Sequence, residues 1–324
     1  HETSMSALAV AEPIETVERA APGRALPVVV DVQDLVKVYG DVRAVDGVSL
    51  TVRTGEVFGF LGPNGAGKTT TIGMILGVVS PTAGRVRLFG QDLKGNERTL
   101  LSRVGALIEV PTFYPYLGAR DNLLLLARLH GGVGRQRVDE VLRTTQLTAA
   151  ADRPFKTYSL GMKQRVGIAA ALLTDPELVI LDEPTNGLDP PQIAAMRPIL
   201  RRYADAGRTV VVSSHLLAEV ELTCSHVVVM HAGRVVTTGA VADLVDSDDT
   251  TVLDLEEGAD VDRLAGSLAG RPGMLEVRVD TPTRLVVVSS LHRAEVVAAA
   301  VSAGLPVVGV SSRRHLEEVF LGVI

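Results

Sequence analysis

Residues 62–70 read Gly-Pro-Asn-Gly-Ala-Gly-Lys-Thr-Thr, and this stretch decides the fold. It fits the pattern G-x-x-x-x-G-K-[ST], with Gly62, Gly67, Lys68 and Thr69 in the invariant places and Pro63, Asn64, Gly65 and Ala66 between them. Before it, Glu56 to Leu61 is a short, mostly apolar run that reads as a buried strand. After it, Lys68 to Leu76 reads as a helix that stops at Gly77. A loop between a strand and a helix N-terminus aims backbone N–H groups at one point, and the helix dipole favours an anion there. The glycines let the backbone curl closely around phosphate oxygens with no Cβ in the way. Lys68 is expected to reach the β- and γ-phosphates, the Thr69 hydroxyl to hold Mg²⁺, and Thr70 to complete the cradle.

The chain around it has the material of a two-domain α/β protein. It has 324 residues, 46% of them apolar, which suffices for a sizeable core. No run approaches the ~20 apolar residues that span a bilayer. The single cysteine, Cys224, excludes an internal disulfide and fits a reducing compartment. A formal charge of −6, with no basic stripe interleaved with aromatics, argues against a nucleic-acid partner.

Strands alternate with helices from Val28 onward, the pattern of a mainly parallel sheet, and such sheets bind ligands at the carboxyl ends of their strands. Val28 to Val38 and Val48 to Val52 read as strands joined by a turn at Asp46-Gly47; residues 1–27 read as a disordered tail. Residues 96–172 take on helical character and read as an inserted helical subdomain. Glu177 to Leu181 and Thr209 to Ser213 read as buried strands, and His226 to Thr237 as a hairpin. Residues 246–249 read as a linker. Beyond it the order β-α-β-β-α-β fits a small ferredoxin-like domain in 250–324, with a last helix at His315 to Leu321.

Asp182 and Glu183 follow the apolar run that ends at Leu181, so they sit at a strand tip near the phosphate loop. There Asp182 is expected to hold Mg²⁺ and Glu183 to take a proton from the attacking water. Pro184-Thr185-Asn186-Gly187-Leu188-Asp189 follows at once, and Tyr158-Ser159-Leu160-Gly161-Met162-Lys163-Gln164-Arg165 lies upstream. With these motifs in this order, Val28 to Leu244 resembles the nucleotide-binding subunits of ABC (ATP-binding cassette) transporters.

The resemblance implies a P-loop NTPase core with an antiparallel β subdomain and a helical insertion, ATP and Mg²⁺ as cofactors, and ATP hydrolysis coupled to transport. Ser159, Gly161 and Met162 fall on the family's signature, which meets the γ-phosphate bound by the other subunit of a head-to-tail dimer; Tyr158, Leu160 and Met162 depart from its pattern. Gly187 to Asp189 matches the loop that touches that subunit, His215 the switch histidine, and Tyr39 the aromatic that stacks on adenine. Glu109 stands where the family usually has a glutamine, and is expected to face the metal or to act as a sensor residue. Phe113-Tyr114-Pro115-Tyr116 is either core or the groove that receives a membrane subunit.

Glu109, the signature variant and residues 316–321 are similar to the drug and antibiotic-peptide export ATPases of bacteria, of the daunorubicin or bacitracin type. Such a subunit lies on the cytoplasmic face of the membrane, bound to a separate permease. The rival expectation is a soluble ABC-type ATPase acting on a macromolecule; the chain has one cassette and no sustained heptads for it.

Overall fold

The computed structural model describes residues 26–108, 111–131, 133–245, 250–311 and 316. The linker expected at 246–249 lies outside them, as do all but two residues of the expected tail and all but Leu316 of the last expected helix. In chain order the elements are β1 (Val28–Tyr39), β2 (Val42–Arg53), β3 (Val57–Leu61), α1 (Lys68–Ile75), β4 (Ala83–Leu88), β5 (Gln91–Asp92), α2 (Glu97–Leu101), β6 (Val104–Leu107), α3 (Ala119–Leu129), α4 (Arg135–Thr144), α5 (Leu160–Ala171) and β7 (Leu178–Leu181). They continue with α6 (Pro190–Asp205), β8 (Thr209–Ser214), α7 (Leu217–Thr223), β9 (His226–His231), β10 (Arg234–Ala240), α8 (Val241–Val245), β11 (Thr250–Leu255), α9 (Val261–Ala269), β12 (Met274–Thr281), β13 (Arg284–Ser289), α10 (Arg293–Ser302) and β14 (Val307–Ser311).

The central sheet has the order β10-β9-β3-β8-β7-β6, parallel except for β10. Every residue of β3, β7 and β8 is buried. That explains why these strands read as continuous apolar runs and not as alternating ones: helices cover both faces of a parallel sheet. The neighbours β3, β8 and β7 end side by side, with Leu61 level with Ser214 and Leu181 with Val212. One layer of core fills the space between this sheet and the helices α3, α4, α5 and α6. A second joins it to the antiparallel sheet β2-β1-β4-β5.

Two expectations need correcting. The stretch 96–172 is not helical throughout: Val104–Leu107 is the edge strand of the central sheet, paired in parallel with β7. Four residues are too few for a period to distinguish strand from helix. The turn between β1 and β2 lies at Gly40-Asp41, with Gly40 at φ 55°, and Asp46-Gly47 sits inside β2. There Leu35 pairs with Val48 but Lys37 with Val45, so β2 carries an extra residue and bulges, with Gly47 at φ 70°. A dipeptide that favours positive φ serves a bulge as well as a turn, and only the pairing partner distinguishes them.

The third sheet has the order β12-β13-β11-β14, all antiparallel, with α9 and α10 packed on one face, where Leu264 and Val296 join Leu253, Leu285 and Val287 of the strands in one core. This is the strand order of a ferredoxin-like β-α-β-β-α-β unit, as the sequence pattern indicated. Beyond it Leu316 is 1% exposed within the core under α6 and α7, and its N–H donates to Glu221 Oε2 at 3.1 Å.

Candidate active site

The loop 62–67 runs from β3 to α1 through three glycines at positive φ: Gly62 at 157°, Gly65 at 81° and Gly67 at 98°. A Cβ on Gly62 would strike the Met230 carbonyl, and one on Gly67 would lie 2.6 Å from the Ala44 carbonyl oxygen. The loop is thus pressed against β9 on one side and β2 on the other. A clamp that the sequence reading missed holds this packing. The Ala232-Gly233 turn joins β9 to β10, and its Gly233 N–H donates to the Ala66 carbonyl at 3.1 Å while its carbonyl accepts from Asp46 N–H at 2.8 Å. Asp46 in turn receives Arg43 at 2.6 Å and Arg234 Nε at 2.8 Å; hydrogen bonds from these two arginines hold its carboxyl below the usual range. The signal was present in the sequence only as a lone Asp-Gly pair.

Lys68 is 5% exposed, and its ammonium folds back over the loop, donating to the Gly62 carbonyl at 2.7 Å and the Pro63 carbonyl at 3.3 Å. It also lies 3.2 Å from Glu183 Oε1. Glu183 stands two residues beyond the tip of β7 with φ 48°, a left-handed conformation that costs a non-glycine residue of order 1 kcal/mol or more. Its Oε2 lies 2.9 Å from His215 Nδ1, and its buried Oε1 has no hydrogen-bond partner, only the nearby Lys68 charge. Asp182 is 3% exposed and pinned: its N–H donates to the Leu107 carbonyl at 2.8 Å, and Ser213 Oγ donates to its carboxylate. The same Ser213 Oγ accepts the Glu183 N–H at 2.8 Å. Ser213 therefore orients both acids from the neighbouring strand. The only hint of it in the sequence was a polar residue in a buried run just before His215.

Lys68, Asp182, Glu183 and His215 thus converge, as expected, because β3, β7 and β8 are adjacent and each ends at the same rim. Thr69 and Thr70 open α1 beside Lys68. Tyr39 ends β1 and is 49% exposed, with the Lys37 ammonium 4.8 Å from its ring centre. Glu109 lies outside the described residues.

Ser159, Gly161 and Met162 stand apart from this group. Ser159 caps α5, accepting the Met162 N–H at 3.3 Å at the positive end of a twelve-residue helix. A Cβ on Gly161 would lie 2.5 Å from Gln192 Oε1, and one on Gly187 would lie 2.9 Å from Leu160 Cδ2. The signature segment therefore packs on the loop that leads into α6, whose N-cap Asp189 accepts the Gln192 N–H at 2.9 Å. Among the described residues no hydrogen bond joins 159–162 to the phosphate loop of the same chain. Tyr158, one of the departures from the family pattern, is 5% exposed and packs on Phe155 at a ring separation of 5.7 Å, so the change is taken up inside the helical core.

The three aromatics of 113–116 divide. Phe113 is half-buried and packs edge-on to Phe155 at 5.3 Å, whereas Tyr114 and Tyr116 are 65% and 76% exposed.

The model of the ABC transporter family matches residues 45–186, which holds the phosphate loop, the signature segment and both acids. The chain is 34% identical over 310 residues to the daunorubicin/doxorubicin resistance ATP-binding protein DrrA of Streptomyces peucetius, covering 91% of this chain and 92% of that one. It belongs to the ABC transporter ATPases. To the bacitracin transport ATP-binding protein BcrA of Bacillus licheniformis it is 45% identical, over 64% of this chain and 68% of that one. A solved ATP-binding subunit of an ABC transporter superposes with a TM-score of 0.60 at 32% identity, covering 67% of this chain and 91% of the other. A dimeric ATP-binding cassette in a post-hydrolysis state, bound to ADP and Pi, superposes with a TM-score of 0.59 at 26% identity, over 65% of this chain and 98% of that one. As an ABC ATPase the chain binds and hydrolyses ATP. No described helix is long and apolar enough to cross a membrane.

Proposed function

We propose that this chain powers export of a drug, antibiotic or lipid-like molecule through a separate permease, working as a peripheral subunit on the cytoplasmic face of the membrane. The observation that carries the reading is the convergence of Lys68, Glu183 and His215 at one rim, in a chain related along nine-tenths of its length to a drug-resistance ATPase. Relatives named for bacitracin transport and daunorubicin resistance support a drug or antibiotic as cargo over a macromolecular target.

The glycine loop and the N-terminus of α1 bind the triphosphate through backbone N–H groups, and Lys68 turns from its carbonyl partners to the γ-phosphate. Tyr39 offers an exposed ring on which adenine stacks. The donor set fits a hard cation: the buried Asp182 carboxylate, held by Ser213, and the Thr69 hydroxyl would hold it, while Glu109, expected to face the metal, lies outside the described residues. Mg²⁺ bound there would neutralise charge on the β- and γ-phosphate oxygens. Glu183 accepts the proton of the water that attacks the γ-phosphorus, and His215 holds the Glu183 carboxylate in place. The signature residues Ser159, Gly161 and Met162 make no described hydrogen bond to their own phosphate loop, and by the family's pattern they serve the nucleotide on a second copy in a head-to-tail dimer. Hydrolysis then removes the phosphate that both copies grip, and the closed state loses its advantage.

The test is Glu183→Gln. It should bind ATP and dimerise with it, while phosphate release falls about 10²–10⁴-fold. Normal turnover would remove Glu183 as the base. A variant that stays monomeric with Mg-ATP, alone and in its membrane assembly, would sink the shared site.

A further inference from the structure

The two halves of the nucleotide site belong to different sheets. Tyr39 closes β1 of the antiparallel sheet, whereas the phosphate loop leaves β3 of the central one. Asp46 stands where they meet. The bulge in β2 takes it out of the ladder with β1, so its N–H points elsewhere. That N–H donates to the Gly233 carbonyl at 2.8 Å, and the Gly233 N–H donates to the Ala66 carbonyl at 3.1 Å. The Asp46 carboxylate meanwhile draws in Arg43 of its own strand and Arg234 of β10. Backbone and side chain of one residue thus fasten the β9–β10 turn to β2. The fit is close: a Cβ on Gly233 would lie 2.9 Å from the Ala44 carbonyl oxygen, and one on Gly67 would lie 3.5 Å from Gly233 Cα. These contacts converge on Ala66 and Gly67, the residues just before Lys68.

We propose that Asp46 is a positioning residue for nucleotide binding, holding the phosphate loop in place against the strand that carries the base platform. The inference rests on the reading of residues 62–70 as the phosphate cradle and of Tyr39 as that platform. Asp46 acts through Gly233 and Ala66. A cradle of this kind works because its backbone N–H groups are aimed before the anion arrives. A loop loosened at Ala66 and Gly67 must be ordered again on binding, at the expense of affinity.

A brace for the fold alone would be built differently. The Arg43 and Arg234 side chains are 58% and 71% exposed, and ion pairs with such exposed partners add little stability. What the Asp46–Arg234 pair fixes is the place of a turn, and the backbone of that turn bonds directly to the phosphate loop.

The experiment measures ATP and ADP binding by the full chain, together with ATP turnover and the melting temperature. Asp46→Ala should weaken both nucleotides by the same factor, about 10-fold, because the cradle holds the phosphates they share. KM should rise in step while kcat at saturating ATP stays within about twofold, the mark of binding lost equally from the ground and transition states. Arg234→Ala should reproduce the effect, and the double variant should be no worse than either, since both break one link. Arg43→Ala keeps that link and should change affinity less. The melting temperature should stay close to that of wild type throughout. Unchanged nucleotide affinity in Asp46→Ala, a lowered melting temperature with KM unmoved, or additive losses in the double variant would each overturn the proposal. A wild-type chain that binds neither nucleotide would instead sink the reading of the cradle, and this proposal with it.

Discussion

Glu183 Oε2 lies 2.9 Å from His215 Nδ1 although the two residues are 32 apart in sequence, because β7 and β8 are neighbours in the sheet. The pair is oriented from behind as well: Ser213, two residues before His215, accepts the Glu183 N–H. His215→Ala should therefore leave ATP affinity within a few-fold of wild type and lower turnover about 10²–10³-fold, the usual cost of losing one preorganised partner in a site. Nucleotide titration and phosphate release measure the two separately.

Ser213→Ala should act through both acids. It removes the acceptor for Glu183 N–H and the donor to Asp182, leaving a part-buried N–H and a buried carboxylate without their partner at a cost of about 1–3 kcal/mol. Thermal unfolding should show that loss, and the magnesium concentration needed for half-maximal turnover should rise. Ser213→Thr keeps the hydroxyl and should recover the magnesium dependence.

The glycines of the phosphate loop should not be equivalent. An alanine at Gly65 is strained by its φ of 81° but meets open space, whereas one at Gly67 is strained and also meets the Ala44 carbonyl. Gly65→Ala should cost about 1 kcal/mol of stability, and Gly67→Ala more. Denaturant titration of the two variants decides the order.

Phe113→Ala should destabilise the helical layer by about 2–4 kcal/mol, since it removes a ring packed on Phe155. Tyr114→Ala and Tyr116→Ala should leave the melting temperature unchanged, since both rings are largely exposed. If this corner meets the permease, they should weaken co-purification with it while sparing ATP affinity.

Burial pushes the Cys224 thiol up to about 12. In the unfolded chain the thiol ionises near its ordinary value of about 8.5. The folded state thus has its full advantage below that pH and loses it as pH rises toward 12. Unfolding free energy of wild type should fall over this window more steeply than that of Cys224→Ala. At neutral pH a thiol reagent should label the native chain only as fast as it unfolds.

The strands that carry the site were legible because burial on both faces leaves an unbroken apolar run, as in Val57–Leu61 and Leu178–Leu181. The phosphate loop was legible because only glycine tolerates its backbone. The third sheet was legible as an order of elements, and its strand order followed. What was hidden depended on partners distant in sequence. Val104–Leu107 becomes a strand only because β7 lies beside it, and Asp46-Gly47 becomes a bulge only because β1 sets the register.

Local chemistry in the sequence determined the nucleotide class of this protein and singled out the two acids, the histidine and the lysine that the strands bring to one rim. Tertiary structure alone decided that Ser213 serves both acids, that Gly233 braces the phosphate loop, that Phe113 faces inward while Tyr116 faces out, and that β14 is an edge. The reason is that residue type records what a side chain can do, whereas sheet order and register decide which other side chain it reaches.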